Sequence, residues 1–300
     1  MAEITAKLVN ELRQRTNAPM MDAKRALVDA NAELGADAPS DNVVNRAAEL
    51  LRERGAASAD KKLANEMKEG LVSGRISNDG KLGVLLRLGC QTDFVARNDG
   101  FLKLLGDLTD LAFENNVNAP ADLNPLAYPD GSGRTVEQVI KELIGGTIKE
   151  NIGVTGLARF STPNGRVEKY VHHNAKVGAL VQIDGSTDDA VKVTAAEIAM
   201  HVTAAVPQVA LAVDRTGLDP SIVAREKEAA SEGTAGKPAN IVEKIVAGKL
   251  EKYFQDVALV DQPFIKDDKR RIRDLLADTG KAVGSEVKII RFARFKVGEA

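Results

Sequence analysis

Three histidines and one cysteine have the strongest claim to bond-making chemistry in this chain. His172 and His173 adjoin in "KYVHHNAKVG", His201 lies in "EIAMHVTAAV", and Cys90 in "RLGCQTDFVAR". A general base needs a proton donor and an orienting group within hydrogen-bond reach, and no partnered Ser, Cys or carboxylate motif surrounds the histidine pair. At a strand end the pair reads as surface or half-buried, and His201 as a packed or rim residue of a helix. Cys90 adjoins a helix cap, where a dipole lowers a thiol pKa, but the simpler reading is a small buried thiol. One cysteine and three histidines offer no zinc spacing. The acidic groups "TDD" (187–189) and "KDDKRRIRD" (266–274) lack the ligand spacing of a calcium loop. "AGKP" and "TGKA" are not followed by the Ser or Thr of a phosphate-binding loop. We assign no catalytic residue, no cofactor and no metal site, which turns attention from covalent chemistry to binding.

Composition narrows the binding partner. The 300 residues are 44% hydrophobic and 28% charged, enough for a core divided over two or three domains. A net charge of −2 supplies no basic field for phosphate backbones, and 4% aromatics without Trp supply no base-stacking surface. The closing "RFARFK" mixes cations and aromatics but lacks the Gly between them that an RNA-binding strand carries. No apolar leader opens the sequence, and nowhere do eighteen apolar residues run together. The expectation is a cytoplasmic chain with a protein partner, and neither nucleic acid nor membrane.

The elements are legible from periodicity. Ile4, Leu8 and Leu12 repeat every fourth residue, "TNAP" breaks that helix, and a second runs from about Met20 to Ala30, capped by Asn17 with Pro19 in its first turn. "VVNRAAELLRERG" makes a third helix ending at Gly55, read as its C′ residue. Residues 1–55 are therefore a three-helix domain, and 56–69, charged and Ala-rich, a helical connector. The period then becomes two. "GLVSGRIS" and "KLGVLLRLG" read as strands joined by a tight turn at Asn78–Gly80, the second mid-sheet, followed by a helix over 101–114.

The construction recurs. Displaced by 95 residues, "KLGVLLRLGCQTD" from Lys81 lies over "KVGALVQIDGSTD" from Lys176, with "GLARFSTPNGRVEKYVHH" as a preceding hairpin and "DDAVKVTAAEIAMHVTAAV" as a following helix. Core subdomain one is placed at 70–152, and core subdomain two at 153–218 and 257–300. Residues 219–256, two amphipathic stretches around "GTAGKP", form an inserted antiparallel helical hairpin, and "EVKIIRFARFKVG" a final strand. The fold class is α+β, with antiparallel sheets and helices.

Within the repeat, Thr92 or Asp93 caps a helix as the Thr187–Asp188 pair does. Phe94 is different, because its counterpart 95 positions later is Asp189. No capping box or staple calls for a ring there. On the residues alone Phe94 either faces a partner or packs between subdomains.

"TDFVAR" (92–97) resembles the signature of the elongation factor Ts family, the nucleotide exchange factors of elongation factor Tu. "LRQRTNAPMMDAKRAL" (12–27), "KVGALV", "IAMHVTAAVP", "GKPANIVEKIVAGKLEKYF", "DQPFIKDD" and "RFARFKVGE" are similar to further family motifs in order along nearly the whole chain. The resemblance implies an N-terminal domain of ubiquitin-associated type, two duplicated core subdomains and a helical coiled-coil hairpin. It also implies a guanine nucleotide exchange factor rather than an enzyme, binding GDP-bound and nucleotide-free elongation factor Tu. Asp93 and Phe94, in the stretch Thr92–Val95, would be the wedge that disturbs the partner's magnesium and phosphate site. Arg13, Met20, Met21 and His173 would be further contacts, and the hairpin a candidate homodimer arm. Arg87 and Gly89 stand where the family usually has Glu and Asn, and Pro19 where it has Gly. The rival readings are a non-catalytic adaptor and an RNA-binding protein.

Overall fold

In a computed structural model of the chain, which describes residues 4–16, 18–35, 37–232 and 238–299, the first apolar stripes become three helices. They are α1 (Ala6–Thr16), α2 (Met20–Leu34) and α3 (Ser40–Asp60). Leu12, Leu27, Val44 and Ala47 are fully buried where they meet. The start of α2 at Met20 is as expected, but its cap, its end at Leu34 rather than Ala30, and the end of α3 differ from the periodicity reading. Pro19 is itself the N-cap of α2, so the helix opens at Met20 with no side-chain cap; Asn17 lies outside the described residues. α3 does not stop at Gly55 but continues to Asp60. Gly55 serves a different purpose there. It packs on Gly145 at the end of another helix, so closely that a Cβ on Gly145 would collide with the Gly55 carbonyl and Cα. The connector expected over 56–69 is helical only as far as Asp60, and turns follow.

Six strands form two three-stranded sheets. β1 (Glu69–Ile76), β2 (Leu82–Cys90) and β3 (Ile152–Ser161) lie in the order β1-β2-β3. β4 (Gly165–Val171), β5 (Val177–Asp184) and β8 (Lys288–Lys296) lie in the order β4-β5-β8, antiparallel throughout. β6 (Pro263–Phe264) and β7 (Asp267–Arg271) make a short separate ladder. β2 and β5 are central, as their apolar runs require. Gly80 takes φ +65° in the turn before β2. β3 was expected to form a hairpin with β4, but it pairs in the first sheet instead. A central strand needs two neighbours: β5 has β4 and β8, so the open side of β2 is left for β3.

The helices that follow are α4 (Asp93–Ala96), α5 (Asp99–Glu114), α6 (Val136–Gly145), α7 (Asp189–Ala204), α8 (Pro220–Ser231), α9 (Ala239–Val257) and α10 (Ile272–Val283). The chain divides into two compact units, residues 1–71, 87–157 and 297–300 in one and 72–86 and 158–296 in the other. In the second, α7 and α10 bury Ile198, Val202 and Ile272 against Val181 and Ile183 of β5. β8 carries a bulge opposite Gln182–Ile183. Arg291 there stacks on the Phe160 ring, 4.4 Å from its centroid, and donates to Gln182 Oε1 at 2.8 Å, so this cation of "RFARFK" is engaged within its own unit.

α8 and α9 pack against each other, with Lys249 Nζ donating to the Ala230 carbonyl at 3.0 Å. Most of the expected "GTAGKP" turn, residues 233–237, lies outside the described residues. At the root, Ala212 and Ala258 form a parallel bridge, so entry and exit lie side by side. Arg215 grips both oxygens of Glu251 at 2.7 and 2.8 Å, reaches the buried Asp261, and covers the Phe254 ring. Those hydrogen bonds hold the Glu251 carboxyl down at about 2.

His201 is buried in a network with one consistent proton arrangement. Gln262 donates through Nε2 to the carbonyls of Gln208 and Asp256, so its Oε1 accepts from His201 Nε2 at 2.9 Å. His201 Nδ1 accepts from the Ile265 N–H at 3.3 Å. The ring is therefore neutral, and burial pushes its pKa below the ordinary histidine value, the Gln262 contact opposing.

Two outcomes follow from these contacts. Gly145→Ala should cost roughly 1–3 kcal/mol in urea unfolding, because two backbones must part to admit a methyl group. For His201, the unfolded chain takes up a proton below about pH 6.5 while the fold resists it. Its contribution is complete above that pH and is lost as pH falls toward the lowered folded value. Urea midpoints should drop between pH 7.5 and 5.5, and drop less in His201→Gln; equal drops would show that His201 carries no linkage.

Candidate protein-docking site

β2 delivers the chain, apolar on both faces, to Cys90, and at Thr92 the backbone turns in an extended conformation (φ −123°, ψ 156°). Thr92 has a backbone N–H and a hydroxyl to satisfy at that point. Glu150 takes both: its Oε2 accepts from the Thr92 N–H at 3.0 Å and its Oε1 from the hydroxyl at 2.8 Å. The same hydroxyl oxygen accepts from the Val95 N–H at 3.4 Å, which makes Thr92 the N-cap of α4. Beneath it the buried Cys90 donates its thiol hydrogen to the Thr92 carbonyl at 3.2 Å.

α4 is a single turn whose inner side is apolar. Val95 and Ala96 are buried, while Asp93 and Phe94 point outward. Phe94 is 82% exposed, more than any other large hydrophobic side chain among the described residues. Asp93 pairs with Arg97 Nη2 at 3.0 Å, both solvated, a contact worth at most about 1 kcal/mol. The long helix after the Thr–Asp pair is therefore not continuous with its cap. α5 begins afresh at Asp99, with the Asn98 side chain accepting from the Gly100 N–H at 2.8 Å.

The second copy solves the same corner differently. There Asp188, the counterpart of Asp93, caps α7 by accepting from the Ala190 N–H at 2.8 Å, and the helix runs on to Ala204. In the first copy Thr92 caps, so Asp93 is released from that duty. The side chain of Asp189, in the place of Phe94, is 90% exposed.

The other residues singled out by sequence fall as follows. Arg13 spans the α1–α2 junction, its Nε donating to the Ala18 carbonyl at 3.3 Å. Met20 and Met21 open α2 at 56% and 62% exposure. These residues and Thr92–Val95 belong to one unit, and His173 to the other. His173 is exposed in the β4–β5 turn, its ring centroid 4.2 Å from that of His172. Arg87 Nε donates to Thr155 Oγ1 at 2.9 Å, and its Nη1 to the Glu299 carbonyl at 2.6 Å. Glu150 was missed by sequence reasoning: it stands 58 positions from Thr92 and belongs to no local pattern. Among the described residues no group of three or more His, Cys, Asp and Glu could hold a metal ion, and no helix is long and apolar enough to cross a membrane.

The turn is thus held at both ends and presents one ring to water. A family profile described as Elongation factor TS matches residues 91–299, opening one residue before Thr92. Elongation factor Ts of Chlorobium limicola is 38% identical over the whole of both chains. That of Methylococcus capsulatus is 38% identical over 99% of this chain and 92% of its own, and that of Clostridium perfringens 37% over 99% and 93%. The chain belongs to the elongation factor Ts family. This member thus keeps the Thr–Asp–Phe–Val turn on a carboxylate clamp supplied from the β3 side of its fold.

Removing the clamp should loosen the turn. Glu150→Ala leaves the Thr92 N–H and hydroxyl without their acceptor and should cost roughly 1–3 kcal/mol. Hydrogen exchange at Thr92 and Val95 should accelerate, and less so in Glu150→Gln, which retains an acceptor oxygen. Unchanged protection in Glu150→Ala would mean that the turn is held by Val95 and Ala96 alone.

Proposed function

We propose that this chain is a guanine nucleotide exchange factor for elongation factor Tu in translation elongation, acting by binding and not by covalent catalysis. The observation that carries the reading is the 82% exposure of Phe94 on a clamped one-turn helix, in a chain of this family. Exposing such a ring forgoes roughly 2–3 kcal/mol of burial, and the α4 turn needs only Val95 and Ala96 for its own packing. The forgone burial is recovered when a partner covers the ring.

In this reading Asp93 and Phe94 form the wedge, directed by Thr92 and Val95. Asp93 is free of capping duty, and its exposed pairing with Arg97 is readily exchanged for a partner contact. GDP in a GTPase is held by backbone N–H groups and a magnesium ion, so a wedge that displaces those contacts weakens the nucleotide. By linkage the nucleotide weakens the exchange factor by the same factor. The factor binds the GDP-bound and nucleotide-free forms, and GTP entry releases it. Arg13, Met20 and Met21 are proposed as a second contact, and His173 as a third.

The parts assigned to this work are a three-helix domain of ubiquitin-associated type over α1–α3, two core subdomains related by the 95-residue displacement, and the α8–α9 hairpin as an arm for self-association. The cytoplasm is the proposed setting.

Release of fluorescent GDP from elongation factor Tu, followed by stopped flow, tests the reading. Wild type should accelerate it strongly, and Phe94→Ala should lose more than about tenfold of that acceleration, a hot-spot loss. Its unfolding free energy from urea titration should stay within about 0.5 kcal/mol of wild type, since an exposed ring adds little to the fold. A mutant that exchanges as fast as wild type rules out the wedge.

A further inference from the structure

α3 packs closely along α6, but the start of α2 stands off from the α6 end of the same unit. Between them lies a cavity of about 630 Å³ with charged walls, Arg15, Asp22 and Arg52 facing Arg134, Glu142 and Lys149. It is bridged by the Gly55–Gly145 contact, by Lys62 Nζ on the Ile144 carbonyl at 3.0 Å, by Arg52 and Glu142 at 3.7 Å, and by Lys149 Nζ on Asp22 Oδ2 at 3.0 Å. Of these, the one made by α2 itself is the Lys149–Asp22 pair, across the cavity.

Lys149 is the unusual one. It has φ +62°, a left-handed conformation that L side chains rarely adopt, at the close of the turn after α6, where the Ile148 and Lys149 N–H groups both donate to the Leu143 carbonyl. Glycine would take that backbone without strain. What lysine adds is its ammonium on Asp22, in the first turn of α2 and next to Met20 and Met21. The hydrogen bond from Lys149 is the leading cause holding the Asp22 carboxyl below the ordinary carboxylate range, with Arg25 adding to it and burial opposing. The very next side chain, Glu150, grips Thr92 at the foot of Phe94. Two consecutive residues therefore hold the start of α2, with its exposed Met20 and Met21, and the turn that exposes Phe94.

We propose that Lys149 is a positioning residue, which with Glu150 forms a bracket that fixes Met20 and Met21 relative to Phe94 so that both engage the GTPase together. The inference rests on the exchange-factor reading, and deepens it by naming what sets the spacing of two of its contacts. The Lys149–Asp22 pair is about half exposed on the lysine side, so its influence is that of a surface ion pair, a few-fold bias in favour of the aligned arrangement.

Lys149→Gly is the decisive variant, because glycine accepts the backbone and the fold should not weaken. Spin labels at Met21→Cys and Phe94→Cys, with the buried Cys90 replaced by Ala in every labelled chain, give a distance distribution on the chain alone. It should be narrow in the labelled parent, broader with Lys149→Gly, and narrow again with Lys149→Arg. An unchanged distribution overturns the bracket. In GDP release with unlabelled protein, Lys149→Gly should raise the half-saturating concentration about three- to fivefold with the maximal rate retained. The effect should vanish in a Met20→Ala/Met21→Ala background, which a merely structural role would not produce. A broadened distribution with an unchanged half-saturating concentration overturns the docking role. If wild type does not accelerate GDP release at all, the exchange-factor reading falls, and the distance measurement still decides whether the bracket exists.

Discussion

A backbone N–H and a hydroxyl leave the apolar end of β2 at one residue, Thr92, and the two oxygens of Glu150 take both. Everything exposed in the following turn depends on that pairing. A helix of four residues has no stability of its own, since nucleation alone costs more than one hydrogen bond returns. α4 persists because its first residue is clamped and its third and fourth, Val95 and Ala96, are buried. With those three points fixed, Phe94 is held in water on a backbone that cannot follow it if the ring folds back. A flexible loop bearing the same ring would bury it locally and present nothing.

The two sheets show what was given and what was added at this corner. β1 and β2 displaced by 95 residues fall on β4 and β5, and in both segments the residue two beyond the shared Thr is exposed: Phe94 at 82%, the Asp189 side chain at 90%. Exposure therefore comes with the position, whichever residue occupies it. What differs is the cap. Asp188 leads straight into the sixteen residues of α7, whereas Thr92 leads into one turn, after which Asn98 must start α5 anew. Moving the cap back by one residue frees Asp93, and the ring is the other change. Both lie on the surface, so the core of the unit is indifferent to them.

How much of this is legible in sequence follows from the range of each force. Helix and strand periods are local, and they place α1–α3, β2, α5, α7 and β8 within a few residues. Punctuation is less certain because one residue type has several uses. Gly55 reads as a helix end, yet it is the point where two backbones touch; Pro19 reads as a first-turn residue, yet it stands one place earlier as the cap. Partner choice between strands is not local at all, which is why β3 reads as a hairpin with β4 and pairs in the other sheet. For the site, Phe94 was visible as the residue the repeat does not require. Glu150 was invisible, because a carboxylate 58 positions away has no pattern to announce it, and the Lys149 contact with Asp22 spans still more of the chain.

The stiff parts and the exposed parts of the molecule are held by different forces. β5, α7 and α10 share a continuous apolar core, reinforced by the His201–Gln262 network and by Arg215 at the hairpin root. The turn of Phe94 and the start of α2 hang on hydrogen-bonded carboxylates, Glu150 and Asp22, near the rim of a cavity. In the proposed reading, in which the chain takes hold of a GTPase through these groups and is then driven off by nucleotide, this division is physically sound. Pre-ordering the contact groups lowers the entropic cost of docking, so a few apolar side chains suffice for binding. On that reading, a contact kept to those few would leave dissociation fast once the nucleotide restored the partner's own contacts. A broader apolar face would bind more tightly and release more slowly, and the acceleration of exchange would be lost in the complex it formed.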